Sequence, residues 1–458
     1  MANGNVEIIQ EIISELNALQ NSEDPPNTRH DGPIPFPRLL SGKNNAQILV
    51  NKRIDQLIHD LGRETYNGEL KIDHIATLQE WRHTIRSFIG DELTSDIDFT
   101  NEEVAAEIVS KNLQDYKEKI VSTPNKTEWA FPATIFYNVT LEPFRVGPVL
   151  IEMREDWLTR KFKEGAVSKT TKRRLENKWS NGKVNRPRNA TNDSLFEREI
   201  DRAAKDHKFM ITVGLECLLP DAAQKRAETL ANLTLVALAC IWENPSDALK
   251  FFYLADDGSN RSINRLKIDG RYIFSRNERL RFPGKPINED NLCAVFSDNK
   301  EYWHGITHIF DFLATSRPET AKKALYDSLS QAIIFFQRAC IETSDLMSVM
   351  NFAMTLDALA QGGRSKGIVK MIQGLTGWRC DKVITRSGQT IKYIVERIYS
   401  DARSRTVHGT SERYHLDWQE LREIATYITR RCLTQAIGRA GELKHATCMS
   451  DLFYDRQD

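Results

Sequence analysis

Most of the features that announce a function are missing from this sequence. No stretch is apolar over the roughly 20 residues that a bilayer span needs, and the longest, Leu233 to Trp242, falls far short. Cysteine is sparse and scattered: Cys217, Cys240, Cys293, Cys340, Cys380, Cys432 and Cys448 form an odd set without a C-x-x-C pair. That spacing argues against a zinc ribbon and a disulfide framework, and for a reducing compartment. There is no G-x-x-x-x-G-K-[ST] phosphate loop, no G-x-G-x-x-G after a strand, no G-x-S-x-G elbow and no H-E-x-x-H. Net charge is absent too, with 63 Lys+Arg against 63 Asp+Glu, so a general coat for polyanions loses support. The opening segment MANGNVEIIQEIISELNALQ is acidic and amphipathic, unlike a signal or transit peptide. A cytoplasmic protein without a membrane role, metal or cofactor is expected.

What is present describes a multidomain globular chain. Its 458 residues allow two to four domains, and 40% apolar with 28% charged residues is an ordinary globular composition. Charge is segregated, however. Residues 1–158 hold 15 Lys/Arg and 26 Asp/Glu, so the remainder is basic by the same margin. One part of the chain is therefore expected to meet an anionic partner.

Periodicity divides the chain further. Val6, Ile9, Ile13 and Leu16, then Ile48, Ile54, Leu57 and Ile58, recur at helical spacing, with weaker repeats in 72–89 and 102–116. Five prolines make 21–38 a loop. Aromatic and β-branched residues across Thr127–Met153, and again in Phe209–Leu215, predict strands. Asp269-Gly270 between RLKI and RYIF predicts a hairpin, and Asp221–Trp242 a helix. From about Tyr302 helices return, over roughly 300–315, 318–343, 345–361, 364–377, 389–408 and 417–440, broken by Pro318, Gly362-Gly363, Gly377 and Gly409. Long helices with short connections indicate a bundle. The fold class expected is thus α+β and mainly helical. It comprises an acidic helical region (1–125), a mixed α/β region (126–295), an all-α bundle (296–446) and a tail (447–458).

Three groups of residues are candidates for chemistry. His304 and His308 lie at i, i+4, as metal ligands do, but lack a following glutamate and a third ligand. Residues 160–188 hold eleven basic residues against Glu164 and Glu176, with Phe162 and Trp179 interleaved. Cations contact phosphates and aromatic faces stack on bases, so this stretch suits single-stranded nucleic acid, with Lys172, Arg173, Arg174 and Lys178 as its centre. The plainer reading is a solvated loop interrupted by Gly165, Gly182 and Pro187.

The third group is IYSDARSRTVHGT, residues 398–410. Arg403 and His408 are one of four Arg–His pairs at similar spacing, the others being Arg53/His59, Arg202/His207 and Arg439/His445. Only the third pair along the chain has a tyrosine, Tyr399, one turn before the arginine and a glycine, Gly409, after the histidine. A glycine stop puts His408 in the last helical turn, where the helix dipole favours the imidazolium. Arg403 can offer a planar fork to phosphate from the same end, and Ser404 shares a face with His408.

Here the sequence resembles the Apea-like HEPN domains, helical modules of prokaryotic anti-phage and toxin systems, many of them metal-independent ribonucleases. Arg403, Ser404 and His408 fill the arginine, polar and histidine positions of the family motif. SLSQAIIFFQRACIE at 328–342 and SVMNFAMTLDALAQGG at 348–363 resemble the two preceding family helices. Asp357 stands where the family usually has glutamate, one methylene longer. The resemblance covers about residues 300–440.

It implies an endoribonuclease effector of anti-phage, abortive-infection defence, in which the 2′-hydroxyl of RNA attacks the adjacent phosphate. His408 would carry the proton and Arg403 would stabilise the phosphorane charge, supported by Ser404, Asp357 and Tyr399. The partners implied are RNA, a second copy of the chain paired through the bundle, and a regulatory protein at the N-terminal region. The competing class is a non-catalytic nucleic-acid-binding or sensor protein that uses the bundle to dimerise. A third reading, an enzyme housed in the α/β middle, has no motif behind it.

Overall fold

The computed structural model describes residues 2–22, 38–67, 70, 72–123, 126–137, 139–181, 192–255, 262–269, 272–279, 284–287, 294–315, 320–408 and 417–453. The chain divides into two compact units, one of Met1–Thr127 with Leu215–Arg226, the other of Glu128–Gly214 with Ala227–Asp458. Residues 126–295 are divided between these two units. Most of this region clusters with the helices that follow, and fourteen of its residues, Lys126, Thr127 and Leu215–Arg226, cluster with the N-terminal unit.

The first unit is helical, with α1 (Ala2–Gln20), a small antiparallel hairpin of β1 (Leu39–Ser41) and β2 (Gln47–Leu49), then α2 (Lys52–Tyr66), α3 (Leu78–Leu93) and α4 (Glu102–Ser122). Ile9, Ile13, Leu16, Ile54, Leu57 and Ile58 are all buried, as their spacing requires. Ile48 belongs to β2 and not to the helix, because Asn51 caps α2 by accepting the Ile54 N–H and so starts the helix only at Lys52. Glu80 caps twice. It closes a capping box with Thr77, and its carboxylate accepts the N–H groups of Asp221 and Ala222 at 2.8 and 3.2 Å. The latter two residues open the helix Pro220–Ile241, which is how its first turns come to belong with this unit. The loop expected over 21–38 lies mostly outside the described residues.

The second unit holds a five-stranded sheet in the order β5-β6-β7-β3-β8, built from β3 (Lys126–Thr134), β5 (Phe144–Val146), β6 (Val149–Met153), β7 (Phe209–Glu216) and β8 (Tyr253–Leu254). Short β4 (Phe136–Tyr137) pairs in parallel with β11 (Lys285–Pro286). The hairpin β9 (Ser262–Asp269) and β10 (Tyr272–Arg279) pairs with Asp269 opposite Tyr272. Gly270 and Arg271, between them, lie outside the described residues. Around the sheet run α5 (Arg154–Lys163), α6 (Lys169–Asn181), α7 (Asn192–Ala204), α8 (Pro220–Ile241) and the single turn α9 (Pro245–Ala248).

The C-terminal part is helical: α10 (Lys300–Ala314), α11 (Lys323–Ile341), α12 (Asp345–Ala360), α13 (Arg364–Thr376), α14 (Ile391–Glu396), the turn α15 (Arg405–Val407) and α16 (Gln419–Glu442). Its core includes Ile306, Phe310, Leu329, Leu356, Ile394, Ile428 and Leu433, with Phe336 edge-on to Phe352 at 5.6 Å. The glycines break it where the sequence indicates: Gly362 and Gly363 take positive φ after α12, and Gly377 does so after α13. Helices α10 and α16 touch backbone to backbone, since a Cβ on Gly305 would lie 2.0 Å from the Ile437 carbonyl oxygen. Among the described residues no helix is long and apolar enough to cross a membrane. The fold is α+β and mainly helical.

Candidate active site

Thr390 caps α14 by accepting the Tyr393 N–H, and the helix then widens into a π-helix over Arg397–Ser404 before closing through α15. The sequence leads one to expect a uniform α-helix across 389–408. The difference falls on Ser400, Asp401 and Ser404, whose short polar side chains hold an α-helix weakly. The Ser400 hydroxyl turns back to donate to Glu396 Oε1 at 2.9 Å. Single π turns of this kind concentrate at functional sites.

Arg403 sits on this widened turn. Its Nη2 meets Asp357 Oδ2 of α12 at 2.9 Å, and its guanidinium carbon stands 5.0 Å above the Tyr399 ring. Asp357 reaches although it is the shorter of the two acids. Both charges are largely covered, with 30% of the Arg403 side chain and 20% of the Asp357 side chain exposed. Asp357 Oδ1 is buried and has no hydrogen-bond partner among the described residues. Arg403 is thus a held cation, with one N–H committed, one face stacked, and, among the described residues, further N–H donors left for an anion. His408 follows as the C-cap residue, exposed, its N–H donating to the Ser404 carbonyl at 3.1 Å. Ser404 is half-buried. The structure therefore brings Arg403, Asp357 and Tyr399 together, and places Ser404 and His408 on the turn that leads out to solvent. Gly409 lies outside the described residues.

The other Arg–His pairs have different occupations. Arg53 pairs with Glu11. His207 is buried, its Nδ1 at 2.9 Å from the Thr134 hydroxyl. Arg439 donates to the carbonyls of Gly374 and Leu452 at 3.0 and 2.6 Å, a packing role.

The described part of the basic segment is largely helical. It forms α5 and α6, joined by a small core of Leu158, Val167 and Leu175 that Trp157, Trp179 and Ile200 cover. Trp179 is occupied on both counts that matter for stacking on bases. Arg154 lies 4.1 Å over its ring, and its Nε1 donates to Asp201 at 3.2 Å. Most of the described cations are also spent: Lys172 pairs with Glu176, Arg174 with Glu197, and Lys178 with Glu197 and Asp201 at 2.9 and 3.1 Å. Burial opposes the charge on Lys178, yet the bonds to Glu197 and Asp201 outweigh it and raise its pKa. Arg160 is held by Glu152, Glu128 and Glu164. Of the four cations singled out from the sequence, Arg173 stands exposed. The partners of Arg174 and Lys178, Glu197 and Asp201, come from α7, 19 to 23 residues away, beyond the reach of local spacing.

Other chemistry finds little footing here. Among the described residues no group of three or more His, Cys, Asp or Glu is placed to hold a metal ion. Burial pushes the thiols of Cys240 and Cys432 up to about 12, which leaves no thiolate nucleophile there near neutrality. Comparisons with protein-family models, with curated proteins and with solved structures give no significant match.

Proposed function

We propose that this protein is a metal-independent endoribonuclease of HEPN type. Arg403 and His408 act on RNA, and the chain serves as an effector of abortive-infection defence against phage. The observation that carries the reading is Arg403 itself: a guanidinium oriented by Asp357 and Tyr399, one short turn from an exposed histidine at a helix end. Such a cation costs little reorganisation when charge develops on a phosphate, the condition under which electrostatic stabilisation is strongest. His408 is free to exchange protons with solvent and with a 2′-hydroxyl or 5′-oxygen. The attack is internal to the RNA, so proximity supplies what a metal-bound water supplies elsewhere. The products would be a 2′,3′-cyclic phosphate and a 5′-hydroxyl.

One histidine cannot conveniently serve as both base and acid. A homodimer that faces two bundles across a cleft would supply the second. The acidic N-terminal region is then the natural seat for a regulatory partner. The deciding experiment is digestion of total RNA in EDTA by the full chain and by its His408→Ala form. Cleavage by the parent with cyclic-phosphate ends, and none by the variant, supports the reading. Intact RNA with both, alongside tight RNA binding, would favour the non-catalytic sensor.

A further inference from the structure

Away from Arg403 and His408, α10 carries two histidines one turn apart whose ring nitrogens converge. His304 Nε2 and His308 Nε2 lie 3.0 Å apart, with ring centroids at 4.4 Å. His304 is exposed and His308 half-buried. The helix beneath them is fixed: Tyr302, Trp303, Gly305, Ile306, Ile309 and Phe310 are buried, and Gly305 lies against the α16 backbone. Two ligands on one clamped helix lose little freedom on binding.

We infer that His304 and His308 form a bidentate site for a divalent transition-metal ion, of the kind suited to Cu²⁺ or Ni²⁺. The separation sets the geometry. With metal–nitrogen bonds of about 2.0–2.1 Å, two nitrogens 3.0 Å apart subtend roughly 90–95° at the metal. That is the angle between neighbouring ligands in square-planar or octahedral coordination, whereas a tetrahedral ion would want them about 3.4 Å apart. Imidazole nitrogen suits both metals, and water completes the remaining positions. In the metal-free pair one Nε2–H donates to the other nitrogen. On chelation the donor ring's proton passes through water from Nε2 to Nδ1, so that each ring carries its one proton on Nδ1 and gives its Nε2 lone pair to the metal, and acid competes with the metal for both rings. Around His308, Lys322 opposes a positive charge and Asp311 favours one. The site plays no part in the proposed RNA chemistry, which cleavage in EDTA tests separately.

The test uses the full chain, stripped with EDTA and dialysed. Ni²⁺ is titrated by calorimetry at pH 7.5, and one equivalent of Cu²⁺ is examined by pulsed electron paramagnetic resonance. One Ni²⁺ site per chain and a two-imidazole copper spectrum are expected. His304→Gln and His308→Gln should each weaken Ni²⁺ binding about tenfold or more and reduce the spectrum to a single imidazole, with melting temperatures unchanged. His445→Gln, at another exposed histidine, should alter neither reading. A one-imidazole spectrum in the parent, or Ni²⁺ affinity that survives both substitutions in α10, would overturn the assignment.

Discussion

Arg403 and Asp357 face each other from separate segments of the bundle, Nη2 to Oδ2 at 2.9 Å, while the second oxygen of Asp357 stays buried and unpartnered among the described residues. The two partners therefore differ in what their loss exposes. Removing the arginine strands a carboxylate that is already short of donors. Removing the carboxylate frees a guanidinium that still has the Tyr399 ring and solvent.

The first prediction follows from that asymmetry. His408→Ala should lower RNA cleavage by ~10²–10⁴-fold at an unchanged melting temperature, since the side chain is exposed. Arg403→Ala should abolish cleavage and also cost about 1–2 kcal/mol, because it leaves Asp357 unpaired. The sequence alone suggests that both variants are equally well folded, and the observed ion pair corrects this for Arg403. Cleavage assays paired with thermal melts check both. Arg53→Ala and Arg202→Ala serve as controls, whereas Arg439 caps two carbonyls and does not qualify.

Asp357 should behave as a positioning residue. Asp357→Asn keeps the shape but not the charge, and is expected to lower kcat about tenfold with little change in KM, since the loss is felt most as the phosphate gains charge. Asp357→Glu, the residue the resembled family usually carries, should restore much of the rate. Equal loss with both variants would point to simple misfolding, which a melt would reveal.

In the basic segment, charge reversal should divide by partner. Replacing Lys172, Arg174 and Lys178 by glutamate together sets like charges against Glu176, Glu197 and Asp201, and should lower the melting temperature clearly. Arg173→Glu should leave stability within about 0.5 kcal/mol. If RNA lies along this surface, Arg173→Glu alone should reduce the log–log salt slope of binding by about 0.7. An unchanged slope removes Arg173 from the RNA path.

Glu197 gives a pH dependence. Burial works to raise its pKa, but the bonds from Arg174 and Lys178 prevail and hold it below the ordinary 4.5. Folded below unfolded means that its stabilisation is complete above about pH 4.5 and is lost as the pH falls through the lower, folded value. Glu197→Gln should cost about 1–3 kcal/mol at pH 7 and flatten the acid limb of the stability curve. Denaturant melts from pH 7 down to pH 3 would show it.

Much of the architecture is legible from periodicity and punctuation. The helices of 300–442 begin and end near the predicted places because Gly362, Gly363 and Gly377 adopt the left-handed conformation that only such residues take cheaply. The hairpin expected around Asp269-Gly270 is present, but Asp269 pairs with Tyr272 as the last residue of β9, where the dipeptide would set Ile268 opposite Arg271. What escaped is what depends on distant chain. Glu197 and Asp201 neutralise α6 from another helix, and nothing within 160–188 announces them. The widening at 397–404 escaped for a different reason: a π turn has no separate side-chain period in a segment this short. In the candidate site, residue types and spacing could be read, but the hold of Asp357 on Arg403 could not.

The seam between α10 and α16 has one further consequence. At Gly305 and Gly441 the two helices meet main chain to main chain, with the Ile437 side chain packed alongside. Moving either helix along the other by a turn would drive a Cβ into peptide. The two cannot slide or ratchet, and can only part. A bundle built on such a joint responds to a partner or a ligand as a hinge would, by opening or staying shut, without intermediate registers.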